Sequence, residues 1–273
     1  MPRPWTATAL LVVLSMAQPV GTARADTCRV TASSIGDDAE ALVKAPFHAD
    51  SEAWLKTAVA GAAIGASMLW LDDAVDRRVR EHSDDFPWQA AHQLSRLSSW
   101  YGASSRHAII ATAGIVGAVA AGGAIADDDR VLDTAAIMAE SAVLTMGITY
   151  VSKLIFGRRR PYNVEGPHRF EWFVSPRNDA SVSFPSGHTS TAFALAGAAA
   201  GRHPDWYVQV PAYVLATSAG LQRIDTRKHW TSDVIAGAVL GYAVSAFLVD
   251  RYDCPPDDAS AGPATTISLA LRF

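Results

Sequence analysis

Three short polar clusters lie between residues 153 and 233, in an otherwise apolar part of the sequence. They are Lys153–Pro161, Pro185–His188 and Arg223–Asp233. Together they supply fixed cations, a glycine turn, two histidines and a carboxylate. Arginine and lysine bind phosphate oxygens, and an imidazole that is oriented by a carboxylate can act as a nucleophile. The combination predicts a site that binds phosphate and performs covalent chemistry on it.

The first cluster offers two cations at the predicted end of a helix. The apolar segment 132–156 leads into it, and Pro161 is expected to stop the helix. Arg160 can present its planar guanidinium to two phosphate oxygens at once, whereas Lys153 acts as a point charge. Taken alone, a basic helix end also fits a partner for the helix dipole or an anchor at a membrane edge.

The second cluster is predicted to open the next helix. Ser186 suits the N-cap position, and Gly187 would let a ligand approach the backbone closely. The free N–H groups of a helix start attract an anion, so His188 would lie beside it as a proton donor. A simple capped helix start is the alternative interpretation of these residues.

The third cluster pairs a histidine with a carboxylate. Asp233 follows His229 by four residues, just before the last long apolar segment. A carboxylate there can accept a hydrogen bond from one ring nitrogen, which leaves the other nitrogen free to act as a nucleophile. Arg223 would add a third cation for phosphate. A His–Asp pair that only caps a helix is the alternative.

Six apolar segments must position these clusters, at 54–71, 108–126, 132–156, 189–200, 206–221 and 234–249. Their lengths and their Ala, Gly, Leu and Met content favour helices, and the small residues predict close packing. We therefore expect an all-α bundle of about six helices. Residues 26–50 are expected to be an irregular arm, and the charged stretch 72–80 to continue a helix into water. The alternating C-terminal residues 265–273 predict a possible short strand.

The first residues resemble a processing signal. Arg3, the apolar run 10–17 and the Ala23-Arg24-Ala25 cleavage pattern predict a signal peptide over 1–25. The rest, 26–273, is expected to form one domain with its motif core at 150–250 and to be exported. An uncleaved anchor helix is the alternative.

The cysteines, the histidine spacing and the net charge restrict the possible crosslinks, metal sites and binding partners. In an oxidising compartment Cys28 and Cys254 would most simply form a disulfide, although two free thiols remain open. No Cys or His spacing in the sequence indicates a metal site. The formal net charge of −4 argues against a general nucleic-acid binder.

The sequence leaves membrane insertion open. Length permits a crossing for three segments, but the third carries Glu140 and Lys153. Topology raises a second difficulty. If the mature chain starts outside, three crossings put residues 153–233 on the cytoplasmic side.

The spacing of the three clusters resembles one known superfamily. Its pattern is K-x6-R-P, then P-S-G-H, then S-R-x5-H-x3-D, and it is found here over 153–161, 185–188 and 223–233. The sequence is similar to the type 2 phosphatidic acid phosphatase / vanadium haloperoxidase superfamily, in its bacterial exported phosphatase branch. One position departs, because Gln222 stands where the family has serine.

The resemblance implies a role for each matched residue. His229 would attack phosphorus and form a phosphohistidine, Asp233 would orient it, and His188 would protonate the leaving alcohol. The phosphate oxygens would be held by a shared set of cations and donors: Lys153, Arg160, Arg223, Ser186 and the Gly187 N–H. No cofactor or metal would be needed.

The implied activity is that of an exported phosphomonoesterase or pyrophosphatase on the periplasmic side. Its substrate would be a lipid phosphate at or in the inner membrane, and the aromatic loop 162–184, with Phe170, Trp172 and Phe173, would be a lid or lipid-facing entrance. The alternatives are a broad-specificity soluble acid phosphatase, a vanadium haloperoxidase and a non-catalytic assembly protein.

Overall fold

The computed structural model describes residues 30–31, 34–81, 88–102, 104–163, 166–175 and 179–253, and within them it is all-helical. Pairing between extended segments in these ranges is limited to a bridge between Arg158 and Phe170. The eight helices of the described part are α1 Ser34–His48, α2 Ser51–Arg80, α3 over 88–102, α4 Ser105–Ala126, α5 Asp129–Phe156, α6 Gly187–Arg202, α7 Trp206–Asp225 and α8 Thr231–Arg251. The predicted all-α class is confirmed.

The expected number of six helices is too low. The six apolar segments correspond to α2 and α4–α8, and α2 continues through the charged stretch Asp72–Arg80 as predicted. The expectation that this stretch extends into water is wrong for Asp72 and Asp76, which are buried. The additional helices are α1 and α3. Helix α1 lies where an irregular arm was expected, because its mixed sequence, with Pro46 inside it, hides a buried face that includes Leu42 and Ala45. Helix α3 is short and carries no long apolar run.

Capping residues fix where α5 begins and ends. Its first turn is capped by Asp128, whose carboxylate accepts a hydrogen bond from the N–H of Val131 at 3.2 Å. The prediction that Pro161 stops this helix is wrong, because α5 ends at Phe156. Gly157 adopts a left-handed conformation with φ of 51°, and a Cβ there would lie 1.6 Å from the carbonyl oxygen of Glu171. Arg160 therefore lies in the loop after the helix, one element away from Lys153.

The closest helix contact brings α6 and α8 together. A Cβ at Gly241 would lie 2.0 Å from the carbonyl oxygen of Ser190, and one at Gly237 would lie 2.7 Å from that of Ser186. Only glycine allows the two backbones to approach so closely. Both helices begin at the same end of the bundle, so this contact sets the N-terminus of α6 beside that of α8.

Two hydrophobic clusters form the core of the described part. The larger one joins α1, α5, α6 and α8 around Leu42, Ile137, Val244 and Leu248, and the smaller one, around Phe156 and Phe184, lies near the start of α8. Helix α1 is tied to the C-terminal end of α8, where the Asp38 carboxylate accepts a hydrogen bond from the Tyr252 hydroxyl at 2.5 Å. The described chain thus begins near the end of α8 that is opposite to its N-terminus.

Four of the described helices, α2, α4, α5 and α8, are long and apolar enough to cross a membrane. Helix α4 exposes most of its apolar surface, including Ile109, Ile110 and Ile125. These surfaces indicate that the protein associates with a membrane. The predicted signal peptide 1–25, both cysteines, Cys28 and Cys254, and the strand expected at 265–273 lie outside the described residues.

Candidate active site

Four helix ends meet around a cleft with a volume of about 460 Å³. They are the C-terminal ends of α5 and α7 and the N-terminal ends of α6 and α8. The cleft is lined by six of the eight residues that the motifs single out: Lys153, Arg160, Gly187, His188, Arg223 and His229. The fold thus brings together residues that lie as far apart in sequence as Lys153 and His229. The two remaining residues, Ser186 and Asp233, are fully buried behind the wall.

His229 presents a different environment to each ring nitrogen. Its Nδ1 lies 3.7 Å from Oδ2 of Asp233, longer than a hydrogen bond, and 3.5 Å from Oγ of Ser183. Its Nε2 lies 3.4 Å from Nη1 of Arg160, on the side of the cleft. Burial lowers the pKa of the His229 imidazole well below its usual value, although Asp233 opposes the shift. The ring thus turns Nδ1 towards the Asp233 carboxylate and Nε2 towards Arg160 in the cleft.

Asp233 is held rigidly behind His229. Its Oδ2 accepts hydrogen bonds from the Ser183 hydroxyl at 2.5 Å and from the Trp230 N–H at 2.9 Å. Its Oδ1 accepts one from Nη1 of Arg158 at 2.6 Å. The carboxylate that faces the histidine is therefore anchored by three donors before any ligand binds.

Arg158 is the most important residue that the sequence interpretation missed. Its side chain is fully buried and joins two carboxylates, because Nη2 lies 2.7 Å from Oδ2 of Asp72 while Nη1 bonds Asp233. Asp72 also accepts a hydrogen bond from the N–H of Ser232 at 2.8 Å. The network ties α2 to the start of α8. An arginine two positions before a matched one, and an acidic residue directly after an apolar run, were the available signals.

Protein groups hold the cations in place around the cleft. Nζ of Lys153 donates to the carbonyl oxygen of Val182 at 2.5 Å. Arg160 donates from Nη2 to the Asp179 carboxylate at 2.9 Å. Nη1 of Arg223 donates to the carbonyl oxygen of Gly102 at 2.5 Å, and its buried Nε has no partner in the described part of the chain. Asp179 was not predicted, and it lies in the middle of the loop that was interpreted as a lid.

The start of α6 fits the prediction only in part. Ser186 occupies the N-cap position, but its side chain makes no cap hydrogen bond, since the hydroxyl pairs with that of Thr189 at 2.9 Å. The predicted capping role of Ser186 is therefore wrong. A Cβ at Gly187 would lie 3.5 Å from Cγ2 of Thr149, an ordinary contact. The fold does not require glycine there, so any requirement must come from a ligand.

His188, in the first turn of α6, also lines the cleft. Its ring is edge-on to that of Tyr101, with 5.8 Å between centroids, and its Nε2 is buried without a hydrogen-bond partner among the described residues. Burial is the main cause that lowers the pKa of His188 to about 3, and the positive charge of Arg223 adds to the shift. A bound phosphate would raise this pKa, because its negative charge favours the imidazolium.

Two further expectations concern the surroundings of the cleft. Gln222, at the position that departs from the family pattern, accepts a hydrogen bond from Nη1 of Arg223 at 3.3 Å.

In the aromatic loop, Phe170 and Trp172 stack with 6.3 Å between centroids, and Trp172 also contacts Phe156. None of these aromatic rings lines the cleft. The side chain of Phe173, in the same loop, is exposed and does not line the cleft either. Trp172 thus packs against the end of α5, and the entrance role of the loop stays a prediction.

The described residues contain no group of three or more His, Cys, Asp or Glu side chains that could hold a metal ion. Whether the chemistry is independent of metal remains a prediction.

Comparison with known proteins gives a family match in this region. Residues 134–253 match the PAP2 superfamily. The match contains all eight predicted site residues, whereas Asp72 and Tyr101 lie before it.

Two curated relatives have names that state an activity. The chain is 37% identical over 101 residues to "Lipid A 1-phosphatase" of Porphyromonas gingivalis, a match that covers 36% of this chain and 19% of the relative. It is 34% identical over 100 residues to "Probable diacylglycerol pyrophosphate phosphatase 1" of Schizosaccharomyces pombe, covering 32% of this chain and 36% of the relative. The chain therefore spans well under half of the length of either relative. No solved structure gives a significant match.

Proposed function

We propose that this protein is a membrane-associated phosphatase that removes phosphate from a lipid phosphomonoester or pyrophosphate through a phosphohistidine on His229. The observation that carries the proposal is the orientation of that ring, with Nδ1 towards an anchored carboxylate and Nε2 towards the cations of the cleft. Both curated relatives are named as phosphatases of lipid substrates, which supports the same reaction class. The apolar helices favour a lipid substrate over a soluble one.

The first step transfers the phosphoryl group to the enzyme. Nε2 of His229 attacks phosphorus, forming a P–N bond as the P–O bond to the leaving group breaks. His188, protonated in the presence of bound phosphate, donates its proton to the leaving oxygen. Lys153, Arg160 and Arg223 hold the remaining phosphate oxygens as charge develops on them.

The second step returns the enzyme to its starting state. Water attacks phosphorus from the side that the alcohol has left, and neutral His188 accepts the proton of that water. The P–N bond breaks and inorganic phosphate leaves the cleft. Asp233 stabilises the positive charge on His229 while the bond to phosphorus exists. The cations and the two histidines account for each step, so the proposed reaction uses no cofactor.

The side of the membrane is part of the proposal. We place the site outside the cytoplasm. If α2, α4 and α5 all cross, α1 and the site lie on opposite sides, and a signal cleaved after residue 25 is then incompatible with an external site. Hydrolysis of a membrane-impermeant phosphate ester by intact cells would support external orientation. Activity that requires lysis would contradict it.

Hydrolysis by the purified full-length protein tests the activity. Phosphate release is measured in EDTA from p-nitrophenyl phosphate, phosphatidate and undecaprenyl pyrophosphate. His229→Ala should abolish release, while His203→Ala, at the other end of α6, should leave it unchanged. Preference for either lipid would support a lipid phosphatase, and preference for p-nitrophenyl phosphate would favour the broad-specificity enzyme. Wild-type inactivity on all three, or full activity of His229→Ala, would refute the proposal.

A further inference from the structure

A second, apolar groove lies next to the phosphate cleft. It has a volume of about 240 Å³ and is formed by α3, α4, α5, α6 and α7. Helices α6 and α7 contribute alanines to it, at positions 192, 196, 199, 212, 216 and 219. Because alanine side chains are short, the two helices leave a channel between larger residues. Ser98 is its polar exception, and the Ser98 hydroxyl is already bonded to that of Ser218.

Tyr101 is the wall between the groove and the cleft, since it lines both. Its hydroxyl oxygen lies 3.5 Å from the carbonyl oxygen of His188. The groove begins at Ala192, one helical turn after His188, and continues to Ala199. Seven residues of α-helix correspond to roughly 10 Å along the bundle. The groove therefore runs from the histidine of the cleft into the apolar part of the protein.

The direction of the reaction relates this groove to the substrate. In an in-line displacement the leaving group departs opposite to the nucleophile. If His229 attacks and His188 protonates the leaving oxygen, the organic part of the substrate lies on the His188 side. That side contains Tyr101 and the start of the groove. A hydrocarbon chain attached to the leaving oxygen would meet an apolar surface there.

We propose that the groove between α6 and α7 binds a hydrocarbon chain of the substrate's leaving group. The inference rests on the proposed function for its choice of ligand. The alanine lining matches the apolar character of an unbranched chain. The phosphate cleft also has an apolar side between α4 and α5, with Ile109 and Met146. A chain that leaves the cleft there would contact different residues, which makes the two paths separable.

Binding of n-alkylphosphonates tests the groove without requiring hydrolysis. Their carbon–phosphorus bond is not cleaved, so the phosphatase assay and this assay fail independently. Affinities are measured by thermal shift for a series from methyl to decyl phosphonate. Each added methylene that enters the groove from water should improve affinity by up to about fourfold. Detergent competes for the chain and lowers this increment equally in all variants.

Filling the groove should remove this dependence. Ala192→Leu and Ala212→Leu should weaken binding of the long phosphonates at least tenfold relative to wild type and leave methylphosphonate unchanged. Ala118→Leu is the matched control, because Ala118 is exposed on α4 and lines neither cavity. An unchanged dependence on chain length in both groove variants would overturn the proposal. The groove would then hold a bilayer lipid or remain empty.

A measurement on the wild-type protein covers the case in which the leucine variants fail to fold. Decylphosphonate with a terminal diazirine is bound and photolysed, and the labelled peptides are identified by mass spectrometry. Labelling within 192–199 or 212–219, competed by excess decylphosphonate, is expected. Labelling confined to the surface around Ile109 and Met146 would overturn the proposal and assign the chain to the gap between α4 and α5.

Discussion

Replacing Arg158 tests the buried network that supports the site. In Arg158→Gln, the carboxylates of Asp72 and Asp233 would lose the guanidinium that lies 2.7 Å and 2.6 Å from them. Both carboxylates are essentially inaccessible to solvent. Breaking a buried ion pair by removal of one partner costs about 3–5 kcal/mol. For a protein of this size that corresponds to a decrease in Tm of roughly 6–20 °C.

The neighbouring arginine is the matched control. Arg159 pairs with Glu171, and both side chains are partly exposed, at 41% and 37%. An exposed pair contributes about 0–1 kcal/mol, so Arg159→Gln should lower Tm by at most about 4 °C. Thermal unfolding of the purified variants in one detergent, with wild type beside them, measures both changes.

A double variant separates stability from activity. Asp72→Asn added to Arg158→Gln removes one of the two unpaired charges and should restore part of the lost Tm. It should not restore kcat for p-nitrophenyl phosphate, because Asp233 would still lack the hydrogen bond and the positive charge of Arg158. The reasoning would be refuted if Arg158→Gln unfolded within a few degrees of Arg159→Gln. A further decrease in Tm on adding Asp72→Asn would refute it too.

Two further predictions concern the start of α6. Gly187→Ala should unfold at the wild-type temperature, because the new Cβ would lie 3.5 Å from Cγ2 of Thr149, an ordinary contact distance. Its kcat/KM should nevertheless decrease at least tenfold, because a ligand would meet the added methyl group. A wild-type kcat/KM would show that no ligand approaches there. The lowered pKa of His188, about 3, means that below the ordinary value of 6.5 the unfolded chain binds a proton that the folded chain does not. Stability should therefore fall as pH drops below 6.5, by up to about 1.4 kcal/mol per pH unit from this group. His188→Asn should lose less Tm than wild type between pH 7 and pH 5, and equal losses would contradict the assignment.

The sequence indicated which residues line the cleft better than it indicated the residues that support them. The three adjacent arginines, Arg158, Arg159 and Arg160, differ little as letters, yet they have three different environments. One is buried between two carboxylates, one forms an exposed ion pair and one lines the cleft. Their spacing matched only Arg160 to the pattern, because the partners of Arg158 are as far away in sequence as Asp72. Contacts between distant segments cannot be inferred from local spacing.

The helices were also predicted unevenly from the sequence. Long apolar segments predicted α2 and α4–α8, since burial in a bundle or a membrane requires such runs. Helix α1 has a mixed composition and is recognisable only once Leu42 and Asp38 have their partners on α5 and α8. The hydroxyl of Ser186 likewise found a neighbour, Thr189, in place of the backbone donor that an N-cap would use.

Trapping the covalent intermediate tests the central claim most directly. His188→Ala is mixed with 32P-labelled p-nitrophenyl phosphate, whose good leaving group needs no proton donor, and is quenched in alkali. Phosphorylation should proceed, and hydrolysis should stall without His188 to activate water, so that label accumulates on His229. The double variant His188→Ala/His229→Ala should carry none. Label on the double variant, or no label on His188→Ala although the wild type releases phosphate from the same substrate, would contradict the account.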